Sequence, residues 1–178
     1  AVISLSIIDG AEFETNERDL YLKQSTALRR GEPVEDGGLP PEIFEEFQGR
    51  EQFILTIASN GLGKRTSAYD YRVTRRGGKG IELMGLADGD TEVAAAFPVA
   101  ETDGLVLVTN GGQLIRCPVE QIRIARRSTR GVKIVDVGAE DRVVSVSPLR
   151  ESEVDDDADE DGMEEGDVGE AEGSSDEI

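Results

Sequence analysis

Arg75-Arg76-Gly77-Gly78-Lys79-Gly80-Ile81 returns, 51 residues later, as Arg126-Arg127-Ser128-Thr129-Arg130-Gly131-Val132. A chance match of two arginines and a glycine would not extend into its flanks, and this one does. At the same offset Arg65 falls on Arg116, Ala68 on Val119, Tyr71 on Ile122, Arg72 on Arg123, Val73 on Ile124 and Leu83 on Ile134. Phe53-Ile54-Leu55-Thr56 with Asn60-Gly61 is answered by Val106-Leu107-Val108-Thr109 with Asn110-Gly111, one residue of slack falling near Gly112. The body of the chain is one unit written twice.

Within each copy, short β-branched runs alternate with turn residues: Phe53 to Ala58, an Asn-Gly hairpin signal, Lys64 to Ala68, a Gly-rich loop, Gly80 to Leu83, then Glu92 to Val99. This pattern predicts four strands per unit. A repeat of that length holding four strands points to an all-β fold, a partial propeller of about two four-stranded blades. A blade buries its face only against a neighbour. The predicted organisation is a blade over 53–103 with the Gly-rich basic loop, a final blade over 104–150, an insertion over 9–52 and a tail over 151–178. Val2-Ile3-Ser4-Leu5-Ser6 matches Val143-Val144-Ser145-Val146-Ser147, so residues 1–8 are expected to be the closing strand of a preceding blade.

Charge is unevenly distributed along these parts. The whole chain has a net charge of -19, but 15 of its 38 acids lie in residues 151–178, where there is no base. Residues 53–150 hold 14 bases and 11 acids, against 5 bases and 12 acids in residues 1–52. A mildly basic repeat body between acidic arms admits a polyanionic partner that the whole-chain charge would exclude. Asp, Glu, Gly and Ser dominate the tail, which is expected to be disordered. Fifteen tethered carboxylates could also compete with a polyanion for the basic body.

The first eight residues are apolar but lack a basic leader and are far shorter than a membrane span, so a soluble chain is expected. Cys117 stands alone, which excludes an intrachain disulfide and suits a reducing cytoplasm. In the insertion, Asn16 to Gln24 reads as a helix with Thr15 or Asn16 as its N-cap. Gly31 to Pro41 reads as a linker. A second helix is predicted from Glu42 to Gln48, started by Pro40-Pro41, with Ile43, Phe44 and Phe47 on one face.

Arg75 to Gly80 sets two guanidiniums, an ammonium and three glycines in six residues. Glycine lets backbone N–H groups approach an oxyanion, and the arginine fork can hold two phosphate oxygens at once. The same composition would serve a solvated turn, but repetition favours the phosphate reading. The expected contact set is Lys64, Arg65, Arg72, Arg75, Arg76, Gly77, Gly78, Lys79 and Gly80 in the first unit. In the second it is Arg116, Arg123, Arg126, Arg127, Arg130 and Lys133. With no interleaved aromatics and no recognition helix, the contacts expected are to phosphate rather than to base edges, sequence-tolerant and salt-sensitive.

The two units resemble the last blades of the C-terminal domain of the DNA gyrase A protein, in the type IIA topoisomerase family. The likeness is carried by Phe53-Ile54-Leu55-Thr56, Asn60 to Thr66, Thr74 to Gly80, Gly111 to Arg116 and Ser128 to Val132. The family's box, Gln-Arg-Arg-Gly-Gly-Lys-Gly, is matched by Thr74 to Gly80 except that Thr74 stands for the glutamine. The resemblance implies that the propeller-like blades are part of a β-pinwheel, and it implies non-specific duplex DNA wrapping in support of ATP-dependent negative supercoiling. The implied partners are the rest of the gyrase A protein and the gyrase B protein in an A2B2 holoenzyme, with ATP and Mg bound elsewhere and a cytoplasmic location. It implies no cofactor and no catalytic residue in this stretch, and Tyr21, Tyr69 and Tyr71 are not assigned to cleavage. The alternatives are the corresponding domain of topoisomerase IV, whose box is usually degraded, and a propeller-like protein-interaction module.

Other signals are weaker. Asp157 to Gly162 copies half of a calcium loop, but Val168 stands where the bidentate glutamate is required, so no metal site is expected. Gly63-Lys64 lacks the upstream glycine and the following Ser or Thr of a nucleotide-binding loop. The chain has no histidine, and Asp70, Asp103 and Asp141 are read as turn formers or surface ion partners.

Overall fold

The computed structural model describes residues 2–10, 13–34, 37–86, 89, 91–138 and 140–150. The acidic tail and its Asp157–Gly162 segment lie outside the described residues. Seven strands are named among them: β1 Phe53–Ala58, β2 Leu62–Ser67, β3 Val93–Val99, β4 Gly104–Thr109, β5 Leu114–Pro118, β6 Val132–Lys133 and β7 Val143–Leu149. They form two antiparallel sheets, one ordered β3-β1-β2-β6 and the other β5-β4-β7. Strict alternation along β4 turns Leu105, Leu107 and Thr109 inward. Leu55 and Ile57 of β1 do the same from the first sheet, and with Val99, Val119, Ile122, Val135 and Val143 they make one core shared by both units.

The repeat is visible in the backbone. The pairings β1–β2 and β4–β5 are both hairpins, and each is followed by a 3₁₀ turn, Ala68–Asp70 and Val119–Gln121. Gly61 and Gly112 both adopt φ +80°, and Gly80 and Gly131 adopt +79° and +83°. A register shift interrupts β1–β3 between Ile57 and Ala58, and β4–β7 between Val108 and Thr109. All of these pairs are 51 residues apart. The alignment expected near Gly112 is therefore misplaced: Phe53 answers Gly104 rather than Val106, Gly61 answers Gly112 rather than Gly111, and the one-residue slip falls between β3 and β7, which start at Val93 and Val143.

The expectation of four strands holds for the second unit, which supplies β4 to β7, and fails for the first. Gly80 to Leu83 is not in a strand. The fourth strand of the first sheet is β6, contributed by the second unit, with Leu62 opposite Lys133 and Gly63 opposite Val132. Gly131 is essential to this invasion, because a Cβ there would collide with the Gly63 carbonyl and its φ lies in the left-handed region. Among the described residues β5 has no strand on its outer edge. Residues 2–8 belong to no named strand, and Ser4 Oγ donates to Ala96 O of β3 at 2.7 Å.

The insertion forms two helices, α1 Thr15–Arg30 and α2 Pro41–Gly49. The first runs a turn and a half past its expected end, stopping at Gly31 in the left-handed conformation, with Gly31 N–H donating to Leu28 O. Its N-cap position is Glu14 rather than Thr15 or Asn16. Pro41 opens α2 as expected. Tyr21, Leu22, Leu39 and Phe47 bury themselves with Tyr69 of the first 3₁₀ turn, flanked by Phe13, Ile43 and Phe44. Tyr69 stands edge-on to Phe13, Tyr21 and Phe47, and its hydroxyl donates to Phe47 O at 3.0 Å. The second core locks the helices onto the first unit.

Candidate nucleic-acid interface

The basic residues divide by what β2 and its neighbours do to them. Strand β2 lies between β1 and β6, and its middle residues, Lys64 and Arg65, are 0% and 4% exposed. Lys64 Nζ donates to Arg126 O at 2.9 Å, Arg127 O at 2.5 Å and Thr129 O at 2.8 Å, so its three protons meet three carbonyls of the second unit's basic loop. Burial pulls this ammonium down from the usual lysine value to about 8, partly opposed by the nearby carboxylates of Asp70 and Glu82. Arg65 Nε donates to Ile122 O at 2.7 Å and an Nη to Glu120 O at 3.1 Å, while the Arg65 backbone brackets the same segment through Arg123 O and Ala125 N–H. Both residues were expected among the phosphate contacts. They instead clamp the second unit onto the first, buried because backbone carbonyls of that unit's 120–129 segment close over them.

The other expected contacts lie outside. Arg72, Arg75, Arg76, Lys79, Arg116, Arg123 and Arg130 are exposed. Among the described residues none of these seven side chains has a hydrogen-bond or ion-pair partner. Gly77, Gly78 and Gly80 are exposed as well, and a turn from Arg75 O to Gly78 N–H, with Gly77 at φ +77°, throws the arginines outward. Lys133 is exposed but paired with Asp136 at 2.8 Å. Arg127 is half-buried, donating to Glu82 O at 3.2 Å. Arg126 pairs at 3.0 Å with Asp70, whose side chain is only 5% exposed. Burial raises the Asp70 carboxyl above its ordinary value, with Arg126 pulling it back. Asp70 is thus an interior ion partner rather than the surface residue expected, whereas Asp103 does form a turn by accepting from Ala100 N–H.

The two basic loops touch. Gly85 N–H donates to Thr129 O at 3.2 Å, and Arg127 reaches Glu82, so the return of the first loop lies against the second. Exposed guanidiniums are thus carried on both of the loops that meet at this seam.

A family model of the DNA gyrase C-terminal domain, a beta-propeller, matches residues 52–100 and 105–150, just over half of the chain. The chain belongs to the DNA gyrase C-terminal domain family. The A subunit of DNA gyrase from Granulibacter bethesdensis is 42% identical over 179 residues, covering 89% of this chain, and that of Rickettsia conorii is 41% identical over 175 residues, covering 92%. Its counterpart in a Nocardioides species is 37% identical over 90% of the chain. The chain spans 19% of the length of the first two relatives and 16% of the third. The fold is shared with the C-terminal domain of DNA topoisomerase IV, at TM-score 0.52 and 23% identity over 56% of this chain and 30% of that one. It is shared equally with a DNA gyrase A C-terminal domain, at TM-score 0.51 and 24% identity over 56% and 34%.

The gyrase C-terminal family model stops short of the helical insertion, and that is where the sequence reading missed bases. Arg29 and Arg30 of α1 line a groove of about 420 Å³ together with Lys64, Arg65, Arg123 and Arg126. Arg29 is held by Glu51 at 2.7 Å and lies over the Phe53 ring. The available signal was Arg29-Arg30 ahead of Gly31, a basic last turn and glycine stop that would have carried the predicted helix beyond Gln24. Among the described residues no helix is long and apolar enough to cross a membrane, and no acidic, His or Cys group could hold a metal ion.

Proposed function

We propose that this chain binds duplex DNA through its backbone phosphates and bends it across the two repeats, as the wrapping element of a gyrase A protein. The observation that supports this most is the joining of two equivalent loops at the unit seam, with exposed guanidiniums on each side that no carboxylate among the described residues neutralises. Such a surface offers a polyphosphate charge at successive positions along one path and offers nothing that reads bases. Negative supercoiling would belong to the A2B2 enzyme, with ATP and Mg held by its other parts. DNA held here would be directed to a cleavage site elsewhere.

Filter binding of the full chain to duplexes of increasing length, over a salt series, tests the proposal. Wrapping gives a steep log–log salt dependence and affinity that grows with duplex length, and replacing Arg75 and Arg76 with Ala lowers the slope by about two. A flat salt response, or binding indifferent to both arginines, points instead to a protein-interaction module and refutes DNA wrapping.

A further inference from the structure

The helical insertion brings a guanidinium of its own to the seam where the two basic loops meet. A cleft of about 360 Å³ opens between the first turns of α1, the Tyr69–Asp70 turn, the residues on either side of the Gly-rich loop, and Arg126-Arg127. Arg18, Arg72, Arg126 and Arg127 all line it, so helix, first unit and second unit each supply cations to one enclosure.

These four arginines differ in how far the protein already satisfies them. Arg126 is taken up by buried Asp70. Arg127 donates one Nη to Glu82 O. Arg72 is exposed and has no partner among the described residues. Arg18 is the informative one: its side chain is 24% exposed and its ion pair with Asp19 is a loose 3.7 Å through one Nη, while its Nε is closed to solvent, so any donor it offers the cleft is at its Nη atoms. A guanidinium held in place by the fold but poorly paired keeps donors open for an anion. Three carboxylates share the cleft, but Asp70 is engaged, and Asp19 and Glu82 are exposed to solvent, which screens them. One positive charge remains in excess, and Gly80, with open space around it at φ +79°, leaves the backbone wall unobstructed.

We infer that this cleft is a phosphate site in which Arg18 of the insertion acts together with Arg72 and Arg127, extending the cationic path from the blades onto α1. Its ligand is a phosphoryl group, supplied by the DNA backbone or by a free polyphosphate. The DNA form of the inference rests on the wrapping function proposed above.

The experiment compares Arg18→Glu and Arg18→Gln with the Arg75→Ala/Arg76→Ala pair in the full chain, titrating a duplex across salt and, separately, inorganic tripolyphosphate. Urea midpoints are recorded for each variant. The Gln variant keeps a hydrogen-bonding side chain without adding a charge, and decides the matter if the Glu variant unfolds. If the phosphate comes from DNA, the Arg18 variants lower the log–log salt slope for the duplex by about one. If it comes from a free polyphosphate, they lose tripolyphosphate binding while the duplex slope holds. An unchanged duplex slope together with unchanged tripolyphosphate binding overturns the site. Should the Arg75/Arg76 pair also leave duplex binding untouched, it is the wrapping function that has failed. The tripolyphosphate titration then still judges the cleft.

Discussion

Lys64→Met tests whether the buried lysine is a clamp or a DNA contact. Methionine keeps most of the stem and its apolar contacts but removes all three donors, leaving Arg127 O without a partner among the described residues while Arg126 O keeps Thr129 N–H and Thr129 O keeps Gly85 N–H. Each hydrogen bond lost from a charged donor costs about 1.5–3 kcal/mol. Against this, the variant no longer desolvates an ammonium, which offsets several kcal/mol of that loss. The groove on this side can also admit water to part of the loop. The net expectation is about 2–3 kcal/mol of lost stability, a fall in melting temperature of roughly 5–10 °C for a chain of this size. Urea denaturation gives the energy, and hydrogen exchange localises it, with protection lost across 126–134 while β4 stays protected. An unchanged urea midpoint with full protection in that segment would falsify the clamp. A variant that is fully stable yet loses duplex binding as severely as the Arg75/Arg76 pair would return Lys64 to the phosphate contacts.

The same residue carries a pH signature. Its folded pKa of about 8 lies below the unfolded value of 10.5, so the unfolded chain binds more protons between those values, and the wild type gains stability relative to Lys64→Met as pH rises from about 8 to 10.5. A stability difference that narrows over that window would contradict the shift. Gly131→Ala pushes a Cβ into Gly63 O at a left-handed φ, and should cost about 2–4 kcal/mol and detach β6, read as lost protection in β2. Gly77→Ala has the same unfavourable φ but open space around it, so a loss of about 1 kcal/mol with β2 protection intact is expected from the same experiment. Deleting residues 151–178 removes fifteen carboxylates and is expected to tighten duplex binding at low salt, an effect that equal affinities would exclude.

Local patterns were readable and partnerships were not. The strands β1, β3, β4 and β7 follow from β-branched alternation that depends on neighbours in the sequence, and α2 from Pro41 and one apolar face. Gly80 to Leu83 and Gly131 to Ile134 are equivalent in sequence, yet only the second forms a strand, because β2 offers it an edge. No property internal to the segment records that choice. Lys64 and Arg65 misled for a related reason: charge reads as surface until the distant segment whose carbonyls close over it is known. A hint was present, since two consecutive cations in mid-strand point to opposite faces and cannot both follow a single exposed side. The loop bases were legible because exposed turns need nothing from distant residues.

Because β6 crosses from one repeat into the sheet of the other, the sequence boundary near residue 103 is not a seam along which the molecule can be divided. Cutting there would strip β2 of its outer neighbour and remove the carbonyls that hold Lys64, leaving the first unit with a raw flank and an interior charge lacking its cage. Consecutive repeats are thus stitched rather than stacked. A load applied by bent DNA to one loop would be shared with the sheet of its neighbour instead of prising the two apart.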